Sequence, residues 1–496
     1  MGSEIDRTEF TGADFERFRR QLQDNLGQLR QLLCRPGFGE GAPSFGAELE
    51  LYLIDAAALP LSLNQEIAER ASDPALSLEL NRFNLEYNFP PIHSSQAPFS
   101  QLRQQIDSAL TQLGRHAAPL GARLLAIGIL PTLRMSHMGE SAITDSARYR
   151  VLSKSLKAQR GEAFNIDIRG ADHLQMRWQE ITLEGANTSF QYHYRVRPSA
   201  FADTYNAAQL ITPLVLALGA NSPLFLGHRL WHETRVALFK QSIDPRTPTP
   251  LHRRHPSRVS FGQHWVKQDI TELFEEGVSL FPPLLPVADA PPSSAESEDR
   301  GPSLEALRLH QGSIWCWNRA LYDPADGGHL RIELRALPAG PSSLDMVALA
   351  AFAVGLMEGL RPQMEAITRL LPFGCCKDNF YRAAREGLGA QLVWPNPARG
   401  TLRESALTPL VDSLLPCAAE GLSRIGIHPR EIDQQLELIR NTLSTQTNGA
   451  RWQLASFQHL SDTLKPSAAL SALVESYYQR QQSGLPVHQW ELADGH

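Results

Sequence analysis

Residues 44–55 alternate strictly between apolar and polar, the pattern of a half-buried β-strand. Leu49, Leu51 and Leu53 point one way; Glu48 and Glu50 point the other. Three further stretches repeat the pattern. Asn84, Glu86 and Asn88 alternate with Leu85, Tyr87 and Phe89 until Pro90-Pro91, which is expected to stop the strand. Gln191 and His193 alternate with Tyr192 and Tyr194. Glu333 and Arg335 alternate with Ile332 and Leu334. Residues 315–322 and 330–337 flank an Asp323-Pro-Ala-Asp-Gly-Gly328 turn and read as a hairpin. Residues 178–184 and 189–196 read as another, and 124–130 as a central strand.

Helical periodicity marks residues 11–33, 99–120, 201–220 and 231–241. Beyond residue 344 the chain reads as almost entirely helical, through 344–360, 362–371, 380–387, 402–421, 429–443 and 450–482. The expected class is therefore α+β: a curved antiparallel sheet with helices on its outer face and a helical C-terminal layer. Residues 1–496 are expected to form one large catalytic domain, with the sheet and its helices in 11–341 and the helical part in 344–496. The Pro-, Ser- and acid-rich stretch 282–302 lacks periodicity and is expected to be a mobile loop rather than a domain boundary.

The polar faces of these strands carry the chemistry. Two glutamates two residues apart on one strand repel each other and resist burial unless a positive group sits over them. A divalent cation is the simplest neutraliser, and carboxylate oxygens suit Mg²⁺ or Mn²⁺. If the four strands share a sheet, Glu48, Glu50, Glu86, Gln191, His193, Glu333 and Arg335 gather on one concave surface. Carboxylates in that number suit metal-assisted phosphoryl transfer from ATP. Arg335 is read as the one cation on its face beside a ligand carboxylate, where a guanidinium offers bidentate donors to a phosphoryl group.

Composition narrows the partners. The net charge of −6 argues against a nucleic-acid binder. No apolar run reads as a membrane span, and the N-terminus does not read as a signal peptide. Five cysteines, an odd number that includes the adjacent pair Cys375-Cys376, point to a reducing, cytoplasmic setting rather than a disulfide framework.

Phe45-Gly-Ala-Glu-Leu-Glu-Leu51, Asn84-Leu-Glu86, Thr188-Ser-Phe-Gln-Tyr-His193, Ala220-Asn-Ser-Pro223 with Trp231-His-Glu-Thr-Arg235, and Leu330-Arg-Ile-Glu-Leu-Arg335 occur in this order. Together they resemble the glutamate–cysteine ligase family, in its type 2 carboxylate–amine ligase branch, across roughly residues 45–341. The resemblance implies a fold like that of glutamine synthetase and the guanidino kinases, a funnel with Mg²⁺-ATP at one end and amino-acid substrates at the other. It implies that Glu48, Glu50, Glu86, His193 and Glu333 are metal ligands and that Arg335 stabilises the transferring γ-phosphoryl group. It further implies a substrate-side cation in Arg235, and a part for Asn221 and Gln191 in shaping the nucleotide or substrate wall. Many relatives carry three successive acidic residues at the first strand and His-x-His at the fourth. Here Ala47-Glu48-Leu49-Glu50 and Gln191-Tyr-His193 stand instead, which implies a weaker or neutral donor at one metal position.

The expected activity is ATP- and Mg²⁺-dependent joining of a small carboxylate, glutamate among the candidates, to an amine through an acyl phosphate. A guanidino or carboxylate kinase, or a nucleotide-binding sensor without turnover, are the alternatives. Neither nucleic acid nor membrane is expected as a partner. Substrate identity and oligomeric state have no marker in the chain.

Overall fold

In the computed structural model, residues 7–93, 97–247, 255–287 and 300–494 are described. The core is a seven-stranded antiparallel sheet: β1 (Ser44–Ile54), β2 (Leu76–Leu78), β3 (Asn84–His93), β4 (Arg123–Leu125), β5 (Phe190–Val196), β6 (Asn318–Asp323) and β7 (His329–Leu334). Its order is β6-β7-β5-β1-β3-β2, with β4 paired to the far end of β1. Chain segments about 140 residues apart therefore pair at the centre.

Register decides which side chains share a face, because directly opposed residues of antiparallel strands point the same way. Gly46 and Glu333 both lie opposite His193. Glu48 lies opposite Gln191 on one side and Asn88 on the other, and Glu50 lies opposite Glu86. All the alternating polar positions thus lie on one face. Leu49, Leu51, Leu85, Tyr192, Tyr194, Ile332 and Leu334 occupy the opposite face and are buried in the main core. The helices Pro98–Ala117, Phe201–Gly219 and Ser343–Leu360 pack on that side. Phe45 stacks there on Tyr194 with ring centroids 5.5 Å apart, fixing β1 against β5.

The helical part follows in Phe373–Glu386, Leu407–Arg424, Pro429–Thr445, Gly449–Ser461 and Pro466–Gln482. The segment Ser343–Leu370 is long and apolar enough to cross a membrane, unlike anything the sequence reading anticipated. It is a core element instead, with 94% of its most apolar window buried. All five cysteines are free thiols.

Several local expectations need correction. The strand expected at 124–130 keeps a partner only at Arg123–Leu125. Residues 178–184 do not pair with 189–196. The hairpin there is Phe164–Arg169 with His173–Trp178, turning at 170–172, and Ile181–Ala186 forms a 3₁₀ helix. The misreading came from taking Gly185 as the turn, whereas Phe164, Ile166 and Ile168 already alternate into a core. Strand β3 continues through Pro90-Pro91 to His93, because both prolines are exposed and a register shift at Gly46 spares them ladder bonds. A second hairpin, Gln391–Asn396 with Thr401–Ala406, interrupts the C-terminal helices; one of its strands is largely solvated and carries no apolar alternation. Of the stretch 282–302, residues 288–299 lie outside the described residues. The part before them is not loose: Leu284 and Leu285 are buried in the main core.

Candidate active site

The polar face resolves into two clusters. Ligand atoms of Glu48, His193 and Glu333 lie within 4.8 Å of one another, as do those of Glu50, Glu79 and Glu86. All five ligand positions expected from sequence fall in one cluster or the other. Strands β1, β5 and β7 supply the first cluster. The second takes Glu50 from β1, Glu86 from β3 and Glu79 from the residue after β2. Hard oxygen donors dominate both, with one imidazole, a set that fits Mg²⁺ or Mn²⁺.

The clusters differ in charge balance. His193 Nε2 sits 3.1 Å from Glu48 and 3.9 Å from Glu333. Arg319 forks onto Glu333, with its NH2 2.9 Å from one oxygen and its Nε bonded to the other. Arg335 donates to the same Glu333 oxygen at 2.9 Å and to the Gln191 side-chain oxygen. Burial by itself would raise the Glu333 carboxyl; Arg319 and Arg335 outweigh it and hold it at about 2. In the second cluster burial and mutual repulsion prevail over the arginines nearby. Burial, then the neighbouring Glu48 and Glu50, push the Glu86 carboxyl up to about 8. Burial and then Glu86 raise Glu79 well above the usual range. Burial raises Glu50 despite Arg335, although Glu50 accepts from the Ser189 amide at 2.7 Å and from Gln191 Nε2 at 2.8 Å. Such a surplus of carboxylate is what a divalent cation would neutralise.

A pH dependence follows. A cation takes the carboxylate form of Glu86, so below about pH 8 binding must expel a proton. Mg²⁺ affinity should rise with pH by up to about tenfold per unit for each linked proton as pH climbs toward 8. Calorimetry at pH 6.5, 7.5 and 8.5 in two buffers of different ionisation enthalpy measures both the affinity and the proton release. An affinity flat across this range would remove Glu86 from the binding set.

Two cavities open on this face. One, of about 380 Å³, is bordered by Glu48, His193, Arg308, Arg319 and Arg331. The other, of about 420 Å³, is bordered by Glu50, Glu79, Glu86, Arg148, Glu184 and Arg335. Glu48, Arg148, Gly312 and Arg319 border both and stand between the two chambers; Glu50, Glu79 and Glu86 border only the second, His193 only the first, and Glu333 lies buried behind them. Arg335 is not the one cation here, as the sequence reading held. Arg331 shares its strand face, and Arg319 lies directly opposite Glu333.

A model of the family described as glutamate-cysteine ligase family 2 (GCS2) matches residues 44–419. The chain belongs to this family. A GCS2 relative from Rubrobacter xylanophilus, described as "Putative glutamate--cysteine ligase 2-3", is 25% identical over 399 residues, covering 77% of this chain and 86% of that protein. The "Putative glutamate--cysteine ligase 2-2" of Mycolicibacterium vanbaalenii is 30% identical over 212 residues, 41% of this chain. The chain spans only about half the length of that relative, 50%. Among solved structures, the glutamate–cysteine ligase of Francisella tularensis in complex with AMP superposes with a TM-score of 0.51 at 11% identity, covering 90% of each chain. The bifunctional glutathione synthetase of Pasteurella multocida gives 0.50 at 12% identity over 93% of this chain and 55% of that one. These two structures show a shared fold. The GCS2 match ends at residue 419, so the last helices lie beyond it.

Those last helices nevertheless serve the GCS2 sheet. Arg235 and Asn221, expected at the substrate wall, are fully buried and border neither chamber. Arg235 Nε bonds Glu233 at 2.7 Å, and its NH2 bonds the Ala336 carbonyl at 2.7 Å. The Asn221 amide donates to the Ala339 carbonyl and to the Tyr477 hydroxyl, each at 2.8 Å, and its oxygen accepts from Gln453 at 2.8 Å. Both side chains thus hold the segment that immediately follows Arg335, with Gln453 and Tyr477 supplied by the C-terminal helices. Asn221→Ala would strand the Ala339 carbonyl and leave the Gln453 amide only its bond to the residue 221 backbone carbonyl, at a cost of about 2 kcal/mol. Thermal denaturation should show a melting point several degrees lower; an unchanged one would mean the network is dispensable.

Three residues escaped the sequence reading. Arg319 was within reach, because the hairpin that was read pairs it with Glu333. Glu79 follows a three-residue strand too short to show alternation. Glu184 sits in a 3₁₀ helix, where neither the period-2 nor the period-3.6 signal applies. Burial, then Glu50, raises its carboxyl to about 8.

Proposed function

We propose that this chain is an ATP-dependent carboxylate–amine ligase that forms an amide or γ-glutamyl bond through an acyl phosphate. The observation that carries the reading is the pair of three-donor clusters on one sheet face beside two adjoining chambers, with Arg319 and Arg335 next to them. Mg²⁺ held by Glu48, His193 and Glu333 and by Glu50, Glu79 and Glu86 would neutralise phosphate oxygens there. The chain's own contribution is positioning and fixed charge, which is most of what phosphoryl transfer asks of a protein.

A substrate carboxylate oxygen attacks the γ-phosphorus and ADP leaves. The amine nitrogen then attacks the acyl carbon, gives up a proton, and phosphate departs carrying the former carboxylate oxygen. Arg335 borders the second chamber with its guanidinium fixed by Glu333 and Gln191, and would there neutralise charge on the transferring group. Two chambers suit a reaction whose nucleotide and substrate carboxylate meet at one phosphoryl group. The family's name and the shared fold support glutamate as the first carboxylate to try.

ADP release tests this in purified protein with Mg²⁺, ATP, L-glutamate and a panel of amines including L-cysteine. A ligase releases ADP and phosphate stoichiometrically with amide, and needs both substrates. ADP release with a stable phosphorylated product from one substrate would make the chain a kinase. No ADP with any pair would overturn the proposal.

A further inference from the structure

A third cavity lies away from both chambers and shares no bordering residue with them. It has a volume of about 520 Å³ and sits at the end of β5, between the loop that precedes β1 and the C-terminal ends of two helices. Four arginines border it: Arg195, Arg197, Arg361 and Arg424. Glu358 is the one carboxylate among its bordering residues, and it is already engaged by the Tyr194 hydroxyl at 2.9 Å and by Arg361 at 3.0 Å. The remaining acidic partners of these arginines, Glu40, Asp326 and Glu420, are exposed and lie outside the cavity wall. The exposed pair of Arg197 with Glu40 holds its guanidinium loosely in water, whereas Arg424 is also anchored through NH1 to the Glu358 carbonyl.

Two further features have the same sign. Ser199, Ala200 and Thr204 border the cavity at the start of the 19-residue helix Phe201–Gly219. The residue at its cap is Ala200, and no side chain caps that end. The Phe201 amide is already bonded to the Pro198 carbonyl, so this end offers an anion the positive end of the helix dipole rather than a free set of amides. Arg195 is the second feature. Its side chain is nine-tenths buried, its NH1 bonds Asp326 at 3.1 Å, its NH2 bonds the Glu40 carbonyl at 3.3 Å, and its Nε has no hydrogen-bond partner. A Cβ on Gly41 would stand 2.8 Å from Arg195 NH2, so the loop closes directly over this guanidinium. A buried guanidinium with an orphaned N–H is costly unless something accepts from it.

We infer that this cavity is a binding site for a small phosphate-bearing anion, separate from the proposed phosphoryl-transfer centre. Planar guanidinium forks match the tetrahedral oxygens of a phosphate, and the helix dipole adds charge of the same sign. A tricarboxylate offers equal charge without that geometry and is the control.

The test is calorimetric titration of the full chain with pyrophosphate, without divalent cations and at low salt, followed by inorganic phosphate and citrate. Arg335→Ala serves as a background in which the phosphoryl-transfer centre is weakened. The expected result is one equivalent of pyrophosphate bound in both wild type and Arg335→Ala. Arg424→Gln should weaken binding about tenfold, and so should the solvent-exposed Arg197→Gln, whose fold is not at risk. Affinity should fall as salt rises, and inorganic phosphate should compete. Binding lost in Arg335→Ala but intact in Arg197→Gln and Arg424→Gln would return the anion to the active centre and overturn the site. The absence of binding, or citrate binding that phosphate does not displace, would overturn it as well. None of these outcomes depends on whether the chain joins a carboxylate to an amine.

Discussion

Arg335→Ala should fold, bind Mg²⁺-ATP within about tenfold of wild type, and lose on the order of 10³ or more in the rate of ADP release. Folding survives because Glu333 keeps a second arginine. Arg319 forks onto both of its oxygens from the neighbouring strand, so removing Arg335 does not leave a buried carboxylate unpaired. Ground-state binding survives because the chambers retain Arg308, Arg319, Arg331 and Arg148 for phosphates. The rate falls because charge spreads over the equatorial oxygens only in the transition state, where a fixed guanidinium acts most. Arg335→Lys keeps the charge but cannot hold Glu333 and Gln191 while presenting a planar fork, so it should resemble Arg335→Ala in turnover. ADP release at saturating substrates, beside ATP affinity by calorimetry, separates the two effects. Near-normal turnover in Arg335→Ala would leave Arg335 a structural partner of Glu333.

Glu86→Gln should have opposite effects on stability and function. Glu86 lies opposite Glu50 in register, in a cluster whose carboxyls burial and mutual repulsion push upward. A carboxyl raised from 4.5 to about 8 binds its proton more tightly in the folded chain than in the unfolded one. Its contribution to metal-free stability therefore falls as pH rises from 4.5 through 8. Glutamine imitates the protonated form at every pH and removes that loss. The metal-free variant should melt at or above the wild-type temperature at pH 8. It should also need at least about tenfold more Mg²⁺ for half-maximal activity, having lost one anionic donor of three. A lower melting temperature with an unchanged Mg²⁺ requirement would place Glu86 outside the metal set.

The sheet was legible because one face is buried and the other carries charge. Under those conditions alternation fixes side-chain direction, and Glu48, Glu50, Glu86, His193 and Glu333 all emerged from it. It could not tell which carboxylates share an ion, since that depends on register across strands distant in sequence. Glu50 faces Glu86 and His193 faces Glu333 only because β5 and β7 lie on one side of β1 and β3 on the other. Residues contributed by irregular backbone left no pattern, as Glu79 and Glu184 show. Arg235 and Asn221 were singled out by resemblance alone. Motif matching cannot distinguish a side chain that lines a chamber from one that braces the segment behind it. The C-terminal helices read only as helices; their hold on residues 336–341 through Gln453 and Tyr477 is a tertiary fact.

The central claim is that a substrate carboxylate is activated by phosphorylation before an amine displaces the phosphate. Positional isotope transfer tests it most directly. The protein is incubated with Mg²⁺, ATP, an accepted amine and L-glutamate, or the carboxylate identified by the ADP screen, labelled with ¹⁸O in its carboxyl oxygens. The released phosphate is then examined by mass spectrometry. The account expects one ¹⁸O atom in each phosphate released with the amide. Phosphate free of label, with ADP still formed, would mean that water takes the phosphoryl group, and would contradict it.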